Sequence, residues 1–425
     1  MKNIRKFETT AEMENAVLEN VSINYNVETG GVVAVNKSIV IDYSTMYTTF
    51  EALEDNTFSF VKIGTGEDIQ YSKDNGSTWV PLVSGETVSV VTGDKVMWKS
   101  TITPVSGRKP GLGYFSSNNK FNAYGNTMSL LYGDNFKGQT SLEGKDYAFK
   151  TLFKNCSYLI DASNMILPAT TLGEGCYSEM FSGCTSLTTA PELPATTLGK
   201  ACYYGMFKVC TSLTTAPELN TTTLTDNCYS YMFSGCTSLT TAPELPATTL
   251  GERCYMCMLQ KCTSMTTAPE LPATTMANNC YRSMFKGCTN LTTAPELPAT
   301  TLALECYSEM FSGCTSLTTP PELPSTTLAV NCYYGMFNSC SGLTTAPELP
   351  ATILTNGCYI SMFQNCTNLS EITMLATDIS AEDCLRGWVA GVSSTGTFVK
   401  HPDMTTLPTG VDGIPKGWTV EDAVI

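Results

Sequence analysis

The chain has 425 residues, a net charge of −15 and a single histidine, His401. That balance argues against a nucleic-acid backbone or an anionic membrane surface as partner, because both select for Lys and Arg; one histidine also removes nearly all His-based catalysis and metal binding. No run of about 18 apolar residues is present, so nothing reads as a membrane-inserted helix, and the opening "MKNIRKFETTAEMENAV" lacks the apolar stretch of a secretory signal.

Thr9 to Glu12 fits a capping box and predicts a helix ending near Glu19. "VSINYNVETGGVVAVN" then reads as a hairpin turning at Gly30 and Gly31. We assign residues 1–42 to this helix and hairpin. Residues 43–130 have a β texture: "NTFSFVKI", "IQYSKDNGSTWVPLV", "ETVSVV" and "DKVMWKS" are separated by Gly-containing turns, as in a small antiparallel sandwich or barrel. Within them Ser72, Asp74, Gly76, Thr78 and Trp79 resemble the Asp-box pattern, which implies a tight turn at Asn75 and Gly76 with Trp79 packed beneath.

From Cys176 to Cys384 a unit such as "CYSEMFSGCTSLTTAPELPATTLGKA" recurs every 26 residues without insertion. A fixed period of this size means a solenoid. Counting the first cysteine of each unit as position 0, positions 0, 1, 4, 5 and 8 are Cys, Tyr, Met, Phe and Cys almost throughout, while positions 2, 3, 6 and 7 vary. At 100° per residue the two sets fall on opposite faces, which predicts a short helix with one buried stripe. On that geometry paired cysteines stand about 12 Å apart along a helix, and neighbouring helices stand about 8–10 Å apart. Both distances exceed disulfide reach. Cys-x₇-Cys also lacks zinc spacing, so the thiols read as reduced core, with Cys257 alone on the variable face. "TSLTTAPELPATTL" supplies a short β segment and a proline-containing return. Strands at about 4.8 Å beside helices at 8–10 Å would curve the array.

"AFKTLFKNCSYL" and "LYGDNFKGQTSL" are fading copies, so residues 131–175 read as N-terminal capping repeats, 176–384 as the solenoid and 385–425 as a C-terminal cap. In that cap Trp388 and Trp418 would cover the last coil, with a short strand near residues 396–400. The expected fold class is α+β: a curved solenoid of short strand and short helix units behind a small antiparallel β-domain. The helix pattern F-x-x-C-x-x-L with its strand and Pro-containing return resembles the BspA-type leucine-rich repeat.

No phosphate loop, HExxH, G-x-S-x-G or zinc spacing occurs, so we expect a non-enzymatic binding protein without cofactor or metal. Two sets of residues could bind. Tyr204, Tyr231, Arg253, Arg282 and Tyr334 sit on or beside the variable face, and Tyr and Arg are enriched in binding hot spots. Glu192, Glu218, Glu244, Glu270, Glu296, Glu322 and Glu348 form one acidic column, a cation- or substrate-binding edge or a solvated ridge that resists edge pairing. The polar N-terminus, "YSKDNGSTWVPL", "NTMSLLYGDNF" and the coils together resemble proteins of phages infecting gut Bacteroidales, crAss-like phages included. That resemblance implies a tail or head fibre in the virion, attached through its N-terminus and binding a host-surface protein or glycan; the oligomeric state stays open, with a homotrimer, as fibres often form, among the options. The alternatives are a cell-surface adhesin of the BspA type and an intracellular protein-binding scaffold in the cytoplasm.

Overall fold

The computed structural model describes residues 42–104 and 111–424; the helix and hairpin expected within residues 9–36 lie outside them. The alternating apolar runs become strands β1 (Thr48–Ala52), β2 (Asn56–Lys62), β3 (Gln70–Ser72), β4 (Val80–Pro81), β5 (Thr87–Val90), β6 (Lys95–Lys99), β7 (Gly113–Ser117) and β8 (Phe121–Asn126). One sheet has the order β8-β1-β6-β3-β4 and the other β5-β2-β7, antiparallel throughout these pairs. Period-2 alternation sends one set of side chains inward. Phe50, Phe58, Phe60, Trp98, Phe115 and Phe121 are each at most 1 % exposed and form the aromatic core between the sheets. At the β3–β4 hairpin Asn75 and Gly76 take positive φ (57° and 84°). The Asp74 carboxylate accepts bonds from Thr78 Oγ1, Thr78 N and Ser72 Oγ at 2.6, 2.8 and 2.7 Å. Those bonds, Thr78 foremost, hold its pKa down at about 2. Trp79 lies half-buried, edge-on to Tyr47 and under the Lys99 ammonium.

The β-domain runs into the coils without a break. A short helix α1 (Ser129–Tyr132) leads to β9 (Ser141–Leu142), β10 (Leu159–Asp161), β11 (Met165–Ile166) and β12 (Thr171–Leu172). β10 and β11 pair in parallel with β8, and β12 with β9. Each later coil contributes only isolated parallel bridges, such as Thr189 to Thr215 and Thr215 to Thr241. The solenoid behind an antiparallel β-domain is as the sequence implied.

The helix in each unit is not formed. Its residues fold instead as consecutive tight turns, with a positive φ at every fourth residue: Gly175, Glu179 and Gly183 in one coil, Asn227, Tyr231 and Gly235 two coils on. The backbone bonds alternate. Ser178, Met180, Ser182 and Cys184 donate to the carbonyl three residues back, while Tyr177, Glu179, Phe181 and Gly183 donate to Cys202, Tyr204, Met206 and Lys208 of the next coil. Both N–H and C=O groups of the buried backbone are thereby paired, half of them across coils, which a helix cannot do. Over so short a stretch a period of 4.0 and a period of 3.6 bury the same positions, so the predicted stripe is correct although the element is not.

The stripe forms columns through the solenoid. Tyrosines from Tyr177 to Tyr359 stack at 5.6–6.1 Å. Phenylalanines from Phe153 to Phe363 stack at 5.4–5.7 Å, interrupted only where Leu259 takes the place. These spacings lie close to the strand spacing of about 4.8 Å, so the packing of helices about 8–10 Å apart from which the sequence argued a curved array is absent.

The same spacing removes the distance argument against cross-coil disulfides. All nineteen cysteines are nevertheless free and buried, Cys257 among them. The second cysteine of each coil has a bonding role: Cys184, Cys210, Cys236, Cys314, Cys340 and Cys366 place Sγ 3.0–3.1 Å from the carbonyl of the phenylalanine in the preceding coil. That carbonyl already accepts the N–H of its own coil's cysteine, so both of its lone pairs are used. Cys156 makes the same bond to Phe115 of β7, whose ring stacks on Phe153. The β-domain thus presents Phe115 where a preceding coil would present its own phenylalanine. At the far end Trp388, fully buried, stacks on Tyr359 and donates Nε1–H to Gly413 O. β13 (Glu371–Met374), β14 (Thr397–Lys400) and β15 (Thr419–Asp422) form a closing parallel sheet, and Trp418 donates to Ser393 O.

Candidate functional site

Two surfaces differ in chemistry. Every Lys and Arg between residues 148 and 384 falls in the turn ladder or just before it, whereas the Pro-Glu-Leu return carries none. The seven glutamates of that return, Glu192 to Glu348, are all exposed, and none joins an ion pair among the described residues. Two grooves of about 430 Å³ open along it, one around Glu244 and Glu270, the other around Glu322 and Glu348. Each is lined mainly by proline and glutamate. Among the described residues no group of three or more His, Cys, Asp or Glu is placed to hold a metal ion, and no helix is long and apolar enough to cross a membrane.

On the turn face the structure gathers the predicted residues into two groups. Tyr204 and Tyr231 lie with ring centroids 5.5 Å apart, and Lys208 extends its ammonium over Tyr231 at 5.1 Å. Burial pushes the Tyr231 hydroxyl up to about 12, and burial followed by the Glu179 charge raises Tyr204. Arg282 pairs with Glu305 and reaches Asn279 at 3.3 Å. It lines a cleft of about 320 Å³ with Tyr334, Glu309, Ile360 and Arg386. Arg253 stands apart, exposed beside Glu252. Cys257, read from the sequence as sitting on the variable face, is 7 % exposed and lies between Tyr231 and Ser283. A turn carries its third side chain inward where a helix would swing it out.

Sequence reasoning missed Lys154, Glu179, Lys286, Glu309 and Arg386. Lys154 Nζ lies 2.8 Å from Glu179 and Lys286 Nζ 2.7 Å from Glu309, each pair bridging adjacent coils. It also missed a cleft of about 580 Å³ where the β-domain meets the first coils, lined by Ile63, Tyr114, Lys150, Lys154 and Glu179. The available signal was that position 3 is Glu in only two coils.

Residues 150–279 and 278–383 match the family described as BspA type Leucine rich repeat region, in six copies. The chain belongs to the BspA-type leucine-rich repeat family. The matched stretch covers most of the turn ladder and its columns, so the repeat that sets the period is also the one that builds the candidate face. No curated protein and no solved structure matches the chain. A BspA-type solenoid is typically a binding scaffold, and that suggests a protein-binding or adhesin-like role.

Proposed function

We propose that this chain is a non-enzymatic binding protein whose turn face engages a ligand on a bacterial cell surface, and that it does so as a tail or head fibre of a phage virion. The observation that carries the binding reading is the contrast within each coil. Columns of Cys, Tyr, Met and Phe hold the backbone in one place, while neighbouring side chains on the turn face change from coil to coil. A rigid scaffold bearing varied Tyr, Arg, Lys and Glu side chains suits recognition. The virion assignment rests on the resemblance of the coils and the β-domain to proteins of Bacteroidales phages. An adhesin on a bacterial surface shares the same binding face.

The test is binding of the purified full chain to whole Bacteroidales cells, alongside a search for its peptides in purified virions. Saturable binding together with virion peptides supports both parts. Binding without virion peptides, and with labelling at the bacterial surface, favours the adhesin. Absence of binding across a broad strain panel overturns the cell-surface reading.

A further inference from the structure

We propose that the turn face carries one binding station twice, five coils apart, and that its ligand is a saccharide chain whose own repeat lets it occupy both. This rests on the reading of the chain as a cell-surface binder. Residues 176–189 and 306–319 share one sequence, "CYSEMFSGCTSLTT". The likeness extends to the variable positions of the coils on either side. A basic pair precedes each copy, Lys150 and Lys154 in one and Arg282 and Lys286 in the other, and Tyr-Gly follows, as Tyr204-Gly205 and Tyr334-Gly335.

The geometry repeats with the sequence. Each lysine closes on the glutamate of the next coil at nearly the same distance, 2.8 and 2.7 Å. Each glutamate stem then lies over the following glycine: a Cβ on Gly205 would stand 3.5 Å from Glu179 Cγ, and one on Gly335 would stand 3.5 Å from Glu309 Cγ. Tyr204 and Tyr334 follow, both half-buried. Each station borders a cleft: Lys150 and Glu179 line the one at the β-domain junction, and Arg282 and Glu309 line the other. Between the stations the coil of Met256, Cys257 and Gln260 has none of these residues. Five coils span about 24 Å at strand spacing and about 29 Å at the spacing of the stacked tyrosines.

The chemistry indicates the ligand. Lys154, Lys286 and Arg282 are each paired with a glutamate, so most of the charge is already spent within the stations. What remains is a half-exposed tyrosine ring beside dense donors and acceptors; at the second station Tyr334 lines a cleft of small-ligand size, and at the first such a cleft lies beside Tyr204 on the far side of Glu179. A sugar ring offers the complement, with an apolar C–H face for the tyrosine and hydroxyls for Lys, Glu and Ser. Two similar stations suit a ligand that repeats, since the second engagement is intramolecular and multiplies affinity. A folded protein epitope has no reason to recur along one face.

The probe is an array of immobilised bacterial capsular and O-chain polysaccharides, exposed to the full chain and to Tyr204→Ala, Tyr334→Ala and the double variant. We expect retention on at least one repeating polymer. Each single variant should lose roughly 100-fold in apparent affinity as two-station binding becomes one, and the double variant should lose retention altogether. Tyr→Phe at either position should keep it. If an Ala variant misfolds in a thermal melt, Glu179→Gln and Glu309→Gln take its place with the same expectation. No retention on any polymer, one station carrying the whole effect, or silence of both overturns the proposal. Cells bound while the array stays blank would sink the saccharide stations and leave the cell-surface reading standing; blanks in both would sink both.

Discussion

Within a single coil the turn ladder and the proline return are built on opposite terms. The ladder sends every second N–H to the next coil and buries its Cys, Tyr, Met and Phe side chains almost completely. The return makes one or two bridges per coil and exposes its Glu, most of its Thr and most of the prolines after Glu-Leu, while the proline before Glu is buried in most coils. Coil register is therefore held by the ladder. The return only has to come back to the right place, which one to three prolines in most units accomplish by restricting the chain.

The largest expected effect that would break this contrast is alkaline. Burial pushes the thiols of Cys156, Cys228, Cys288, Cys306 and Cys366 up to about 12, whereas an unfolded thiol ionises near 8.5. Above that value the unfolded chain has released protons that the folded chain still holds. Stability is therefore full below about pH 8.5 and falls by about 1.4 kcal/mol per pH unit for each such thiol. Five of them lose about 7 kcal/mol per unit, comparable with the whole stability of many domains. Circular dichroism under reductant should show the solenoid unfolding between about pH 9 and 10; a native spectrum at pH 11 would contradict a thiol-filled ladder.

Next in size is Phe311→Ala, which removes a ring between Phe285 and Phe337. Urea unfolding should show a loss of about 3–5 kcal/mol, or separate transitions for the two sides of the gap. Val209→Gly should act in the opposite direction. Val209 is a β-branched residue at φ 61° and is largely exposed, at a ladder position where many coils have Gly. Relief of about 1–2 kcal/mol of left-handed strain exceeds the entropy cost of glycine, and a net gain of about 0.5 kcal/mol should appear as a higher melting temperature. Smallest of all, Glu244→Gln with Glu270→Gln on the return should stay within about 0.5 kcal/mol. A larger loss there would show that the return, too, holds register.

The repeat, its buried positions and the β texture before it were legible because each is periodic in the sequence. The turn ladder was not, since Cys176, Tyr177, Met180, Phe181 and Cys184 satisfy 3.6 and 4.0 alike. The deciding signal lay in the other positions: Gly175 and Gly183, Asn227 and Gly235, Asn279 and Gly287, and Asn331 and Gly335 stand four or eight residues apart within their coils, which left-handed turns require and a helix does not. Tyr204 and Arg282 could be picked from composition, but their partners Glu179 and Glu305 lie more than 20 residues away in sequence and meet them only through stacking. The role of Phe115 was hidden for the same reason. Nothing local in β7 says that it stands in for a coil.

That substitution bears on how the chain is made. The β-domain precedes the coils in synthesis, so when residues 148–159 emerge a finished surface already offers the Phe115 ring and carbonyl to Phe153 and Cys156. Each further coil of 26 residues takes roughly 1–5 s to translate, ample time to settle on the ring left by its predecessor. Assembly can then proceed as growth from a seed, one layer per ribosomal interval, and a fault in the seed would be copied forward into every layer behind it.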